Sequence, residues 1–419
     1  MKRNSLLLLL MCLLSLLPLR AQLTLDECRR IARGNYPLIR QYDLIDQAAQ
    51  YNVVNAFKAY LPQISFSAKA SYQNDVTRLP FELPGIDVDF MPKDQYQMIL
   101  QVQQSVWDGG ETKWHKQLVR AEAIVDMEKL NVDFYALDER VNQLYFGILL
   151  LDAQLEQNRL LQDNLERIHR TMKACVDNGS VNYSDLDEVI VEQLNTRQQR
   201  VALEASRRAY ANMLLLYLGR QPEERLKLEK PLLMEPGNGE NNRPELRWYD
   251  AQTYQLNVKE ASLKMGIMPR LGIFVQGGYG NPGLNMLQDK FTGYYVAGLN
   301  LSWNLGRLYT LKNDRRLIEN HRSMVETGRN TFLFNTFLNT TRQEAEVQAL
   351  RLQMEDDEKI IHLRTRIRQT SEVKLQNGTQ TVTDLLQDVT AENLARQQKA
   401  LHEVQLLMKI CEWRHALGE

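Results

Sequence analysis

Residues 178–186 read Asn-Gly-Ser-Val-Asn-Tyr-Ser-Asp-Leu, and residues 377–385 read Asn-Gly-Thr-Gln-Thr-Val-Thr-Asp-Leu. The same turn occurs twice, 199 positions apart, between long helical patterns. Its surroundings repeat as well. Asn35-Tyr36-Pro37-Leu38 returns as Asn242-Arg243-Pro244-Glu245, and Leu61-Pro62-Gln63-Ile64 as Met268-Pro269-Arg270-Leu271, both at an offset of 207. Val106-Trp107-Asp108-Gly109-Gly110 returns as Ser302-Trp303-Asn304-Leu305-Gly306, at an offset of 196. The chain is one structural unit written twice, and the fold must be read per repeat.

Upstream of the first turn, Asp108-Gly109-Gly110 closes a strand and caps a helix start. From there to Val176 only Gly147 interrupts, which predicts a helix of ~66 residues, roughly 100 Å at 1.5 Å per residue. Met127, Leu130, Phe134, Leu137, Val141, Leu144, Ile148, Leu151 and Leu155 step by 3 and 4, the heptad seam of a coiled coil. After the turn, Leu186, Ile190, Leu194 and Val201 begin a return helix lasting to Leu218-Gly219. It reaches half as far, so the helix expected over Pro244–Met265 would continue the column.

Further out, a helix is expected from Pro37 to about Tyr60. Ile64, Phe66, Ala68, Ala70 and Tyr72 then alternate with Ser65, Ser67, Lys69 and Ser71. Tyr96, Met98, Leu100 and Val102 alternate with Gln97, Gln101 and Gln103. Period 2 marks strands with one apolar and one polar face, and each run has the ~9–11 residues of a transmembrane strand. The Pro- and Gly-containing stretch 78–94 is a loop. In the copy, Leu271, Ile273, Val275 and Tyr279 alternate with Gly272, Gln276 and Gly278, and Tyr295, Ala297, Leu299, Leu301 and Trp303 with Gly298, Asn300 and Ser302. A helix over ~308–376, the turn, and a return helix with Leu394, Leu401, Val404, Met408 and Cys411 complete it.

The expected organisation is a signal peptide (1–21), a first repeat (22–218), an irregular Pro/Gly-rich belt (219–242) and a second repeat (243–419). Strands fall at about 63–73, 95–107, 270–280 and 293–304, with apex turns at 177–186 and 376–385. The leader reading rests on Lys2 and Arg3, an apolar run from Leu6 to Leu17, and Ala21. Without residues 1–21, Lys+Arg falls from 51 to 48 against 52 Asp+Glu, a net of −4, which speaks against nucleic acid as a partner. The remaining cysteines, Cys28, Cys175 and Cys411, form neither a disulfide framework nor a CxxC metal spacing. A Cys28–Cys411 bridge is conceivable; separately buried thiols are the commoner arrangement.

No segment after the leader reaches 18 apolar residues. An exported chain of this kind enters a membrane only as a closed β-barrel, since helices and barrels alone satisfy every backbone group in lipid. Four strands cannot close. Two chains give eight, a barrel filled by its own side chains; three give twelve, with room for water. Ser65, Ser67, Ser71, Gln101, Gln103, Asn300 and Ser302 then form a polar lumen face.

In these features the chain resembles the TolC-like outer-membrane efflux proteins. The marks are Asn35-x-Pro37, Leu61-Pro62-x-Ile64-x-Phe66, the Gln103–Gly110 strand exit, and the two Gly-x5-Asp-Leu apex turns. The resemblance implies an α+β membrane protein of two tandem repeats. It would form a homotrimer with a 12-stranded barrel in outer-membrane lipid and an α-helical tunnel across the periplasm. It further implies the exit duct of a tripartite efflux or secretion system, docking a periplasmic adaptor (membrane fusion) protein and an inner-membrane transporter.

Candidate sites are the apex turns: Asn178, Gly179, Ser180, Asp185 and Leu186 in the first, Asn377, Gly378, Thr379, Asp384 and Leu385 in the second. Gly179 and Gly378 suit a positive φ after a helix end; Asp185 and Asp384 suit capping of the next helix. The resemblance adds adaptor docking to that structural role. Asp177 and Glu372, just above the turns, are candidates for an acidic, cation-favouring entrance gate. No catalytic, metal or cofactor motif is present: His115, His169, His321, His362, His402 and His415 form no HxxxH pair, and scattered histidines on such helices are expected at the surface. The competing reading is an exported coiled-coil scaffold or adhesin-like structural protein without a pore.

Overall fold

The computed structural model describes residues 22–76, 92–179, 181–222, 226–237, 241–286 and 288–419. The leader expected at 1–21 and most of the loop expected at 78–94 therefore lie outside the described residues, as do Ser180 and part of the belt. In chain order the elements are α1 (Leu25–Asn35), a 3-10 turn (Pro37–Ile39), α2 (Arg40–Lys58), β1 (Gln63–Tyr72), β2 (Asp94–Trp107), α3 (Glu111–Asp177) and α4 (Tyr183–Tyr217). There follow α5 (Pro244–Ser262), a second 3-10 stretch (Leu263–Ile267), β3 (Arg270–Asn281), β4 (Thr292–Ser302), α6 (Arg307–Gln376) and α7 (Val382–Leu417). The chain divides into two compact units, and each draws on both repeats. One takes residues up to Ile39 with 131–244 and 331–419; the other takes 40–130 and 245–330.

The second unit holds a four-stranded antiparallel sheet in the order β1-β2-β3-β4. Its register keeps apolar residues in line. Ile64 stands opposite Val102 and Phe66 opposite Leu100, Val102 opposite Val275, and Ile273 opposite Leu299. A register slip of one residue would turn every side chain to the other face; among the described residues the pairing shifts register at the strand exit, between Ser105 and Trp107. The apolar face is the outward one: Ile64, Phe66 and Leu299 are 72%, 68% and 74% exposed. On β2, Tyr96, Met98 and Leu100 are exposed while Gln95, Gln97, Ile99 and Gln101 are half-buried. A water-soluble sheet inverts that pattern. The polar face is not uniformly small: Phe274 and Tyr294 lie on it as well.

At the strand exit, Asp108 caps α3, accepting from the backbone N–H of Thr112 at 2.7 Å and of Gly110 at 2.9 Å. Burial pushes this carboxyl up, and the hydrogen bonds from Thr112, Tyr60 and Gly110 outweigh it, holding it below its ordinary value. Gly109 has φ 66°, and a Cβ there would meet Met268 Cβ at 2.8 Å.

The first unit is helical. α1 has no counterpart among the expected elements. Its signal is the capping box Thr24-Leu-Asp-Glu27: Glu27 N–H donates to Thr24 Oγ1 at 3.3 Å and Thr24 N–H to Glu27 Oε2 at 3.1 Å. α1 buries Leu25, Cys28 and Ala32 against Val141, Tyr145 and Ile148 of α3, Leu214 and Leu215 of α4, and Val404 and Leu407 of α7. Arg33 pairs with the buried Asp138. The belt has no helix or strand among its described residues, and Leu228 bridges Leu23. Tyr145 donates to the Leu23 carbonyl at 2.9 Å. Cys28, Cys175 and Cys411 are free thiols, and burial pushes the Cys28 thiol up to about 12.

The expected seam is buried along Leu130, Phe134, Leu137, Val141, Leu144 and Ile148. Gly147 interrupts nothing. Instead the Tyr210 ring rests on it, where a Cβ would sit 2.6 Å from Tyr210 Cε1.

Candidate functional site: the paired apex turns

Both turns are built the same way. α3 ends with Asn178 N–H donating to the Ala174 carbonyl and Gly179 N–H to Val176; α6 ends with Asn377 N–H donating to Val373 and Gly378 N–H to Leu375. Gly179 and Gly378 both have φ 70°, the left-handed conformation that closes a helix C-terminus cheaply only with glycine. A Cβ at either would meet nothing within 4 Å, so backbone conformation alone requires the glycine.

The next helices start on capping boxes. Thr381 Oγ1 accepts from Asp384 N–H at 3.2 Å, while the Asp384 carboxylate accepts from Thr381 N–H at 3.2 Å and from its hydroxyl at 2.7 Å. Those bonds from Thr381 hold the Asp384 carboxyl below its usual value. In the first turn Asp185 accepts from Asn182 N–H at 3.2 Å. The two aspartates thus act at the third helical position, each reaching back to the residue ahead of its helix. Thr379 donates its hydroxyl to the Lys374 carbonyl at 3.0 Å.

The turns share one apolar cluster. Leu161, Leu165, Ile168 and Met172 of α3 meet Val189 of α4 and Val382, Leu385 and Val389 of α7, with Leu186 and Leu375 packed against them. Leu385 is only 2% exposed, so it fixes the turn from inside and presents no side chain to a partner. Thr383 donates to Glu188 at 2.7 Å, tying the second turn to α4. Asn178, Gly179, Asn377, Gly378, Thr379 and Asp384 form the exposed surface.

The two gate candidates occupy different settings. Asp177 is exposed at the end of α3. Glu372 is ion-paired to Arg368, which also pairs with Glu392. Glu392 is buried and accepts further bonds from Arg396 at 2.7 Å and Thr365 at 2.9 Å. Burial pushes the Glu392 carboxyl up, and the bonds from Arg396, Arg368 and Thr365 outweigh it and lower it. Two acids and two arginines compensate one another there, which sequence spacing did not reveal.

Two histidines depart from the surface position expected of them. His402 is buried between Asp357, 2.8 Å from its Nδ1, and Gln398, 2.9 Å from its Nε2. His415 is buried with its ring stacked on Tyr135 at 3.9 Å. Burial, with Arg29, Arg243 and Arg33 nearby, lowers its pKa to about 3. Both sit where α7 meets a neighbouring helix, and one sequence shows no such facing. Among the described residues no group of three or more His, Cys, Asp or Glu is placed to hold a metal ion. None of the described helices is long and apolar enough to cross a membrane.

Residues 29–220 match the family described as outer membrane efflux protein. No curated protein sequence matches the chain. In fold it is similar to the outer-membrane channel OprN, with TM-score 0.69 and 14% identity over 94% of this chain and 89% of that one. The outer membrane protein VceC from Vibrio cholerae superposes with TM-score 0.67 and 14% identity, covering 94% and 96%. For the Campylobacter jejuni CmeC outer membrane channel the values are 0.66 and 14%, covering 94% and 85%. The resemblance drawn from the sequence is borne out by the family match and by this fold.

Proposed function

We propose that this chain, with the outer membrane efflux protein match over residues 29–220, is the outer-membrane exit duct of a tripartite efflux or secretion system. Three copies join their sheets into a 12-stranded barrel in outer-membrane lipid, and their helices line a tunnel through the periplasm. Substrates handed over by a periplasmic adaptor and an inner-membrane transporter leave by passive conduction. The exposed faces of the apex turns receive the adaptor. No covalent chemistry is assigned to the chain.

The observation that carries this reading is the sheet of the second unit. Its apolar face is exposed along all four strands, and β1 and β4 are its edges. In lipid an outward apolar face is the stable one, and open edges must be paired by another chain. A scaffold without a pore would leave both features unsatisfied in water.

The test is extraction and reconstitution. The duct reading expects fractionation with outer membranes, a heat-sensitive trimer in detergent, and stepwise conductance in planar bilayers. A monomer that stays in buffer without detergent and never opens a channel overturns it.

A further inference from the structure

We infer that Gly278 and Tyr294 together set the free width of the strand-lined bore, and so the size of solute that can enter it from the barrel side; this rests on the duct reading above. Gly278 of β3 stands opposite Tyr294 of β4 on the polar face, and Gln97 of β2 stands opposite Gly280 of β3. Beneath the Tyr294 ring, β3 therefore offers backbone and no side chain. The ring reaches over that strand, and its hydroxyl accepts a hydrogen bond from Gln97 Nε2 at 2.8 Å. One tyrosine spans three strands, lying along the wall.

A strand side chain otherwise stands roughly perpendicular to its sheet, and in a closed barrel that direction is the bore. Gly278 is what permits the flat position. A Cβ there would sit 2.2 Å from Tyr294 Cζ and 2.6 Å from Cε1. Its φ is not positive, so the backbone itself does not require glycine. Four positions away the pairing recurs with the strands exchanged. Gly298 of β4 faces Phe274 of β3, and a Cβ on Gly298 would lie 3.0 Å from Phe274 Cε1. An aromatic ring covering a cross-strand glycine also stabilises a sheet, so the test must separate width from stability.

Protein reconstituted in planar bilayers, with neutral polymers of graded size added on the barrel side, provides that separation. The readout is the largest polymer that still enters the open channel, together with single-channel conductance. Gly278→Ala lifts the ring off the wall and is expected to lower conductance roughly 1.5-fold or more, with a smaller size cut-off, because pore diameter governs conduction. Gly278→Ala with Tyr294→Ala is expected to restore both. Gly298→Ala, with and without Phe274→Ala, tests the second pair independently and serves if the first variant fails to insert. Glycine variants with an unchanged cut-off, even if less heat-stable, overturn the inference, as do double variants that stay narrow. A wild-type protein without channel activity overturns the duct reading instead.

Discussion

The carboxylate of Glu372 is closed by the guanidinium of Arg368, four residues before it on α6. A paired acid contributes little to the field in a nearby channel. Removing the pair together, Glu372→Ala with Arg368→Ala, is therefore expected to leave cation selectivity, read as the reversal potential across a salt gradient, unchanged. Arg368→Ala frees Glu372 and strips one partner from Glu392, so selectivity for cations should rise. Because Glu392 keeps Arg396, the stability loss should be about 2–3 kcal/mol, below that of a fully orphaned buried charge. Selectivity that falls in the charge-neutral double variant would return Glu372 to the gate.

His415 ties stability to pH. Its folded pKa is about 3, against 6.5 unperturbed. Between those values the unfolded chain binds the extra proton, so stability is full above pH 6.5 and is lost as pH falls toward 3. At pH 5 the loss is about 2 kcal/mol, at 1.36 kcal/mol per unit. The melting temperature of wild type should fall as pH drops through this range, and that of His415→Phe should fall less if Phe keeps the stack on Tyr135. An equal acid sensitivity in both would assign it to other groups.

Gly179 and Gly378 are held at φ 70° with open space around them. Alanine at either position pays only backbone strain, about 1 kcal/mol. We expect faster hydrogen exchange confined to the helix ends around that turn, and weaker crosslinking to an adaptor from Thr379. Unchanged exchange would mean that the turn relaxes without cost.

The two faces of the sheet should respond oppositely to charge. Phe66→Lys or Leu299→Lys, on the exposed apolar face, should cost about 2–4 kcal/mol of folding into vesicles near the bilayer midplane. Ser67→Lys, on the other face, should fold normally. Equal tolerance of both would remove the lipid assignment.

Much of this was legible because local rules and tertiary structure agree. Alternation over residues 64–72 and 96–102 fixes the strand faces, since period 2 has no other economical reading. The duplicated turn fixes both helix ends through one glycine and one aspartate. Asn35-x-Pro37 was legible only as a pattern; its role lies in space, where the Asn35 amide donates to the Leu218 carbonyl at 2.8 Å beside Gly219. α1 went unread although its capping box is plain, because eleven residues carry little periodicity. The ion pairs of Glu372 and Glu392, the burial of His402 and His415, and the rings resting on Gly147 and Gly278 depend on neighbours distant in sequence. A single sequence does not supply those pairings.

The helix at the start of the described chain packs into the same core as Val404 and Leu407 near its end. The core they share is complete only once the last helix is in place. Until then the earlier hairpin waits with its seam uncovered, and such long-range closure is slow and prone to aggregation. A truncation that removes the 36-residue α7 should therefore be lost to proteolysis rather than accumulate as a shorter chain.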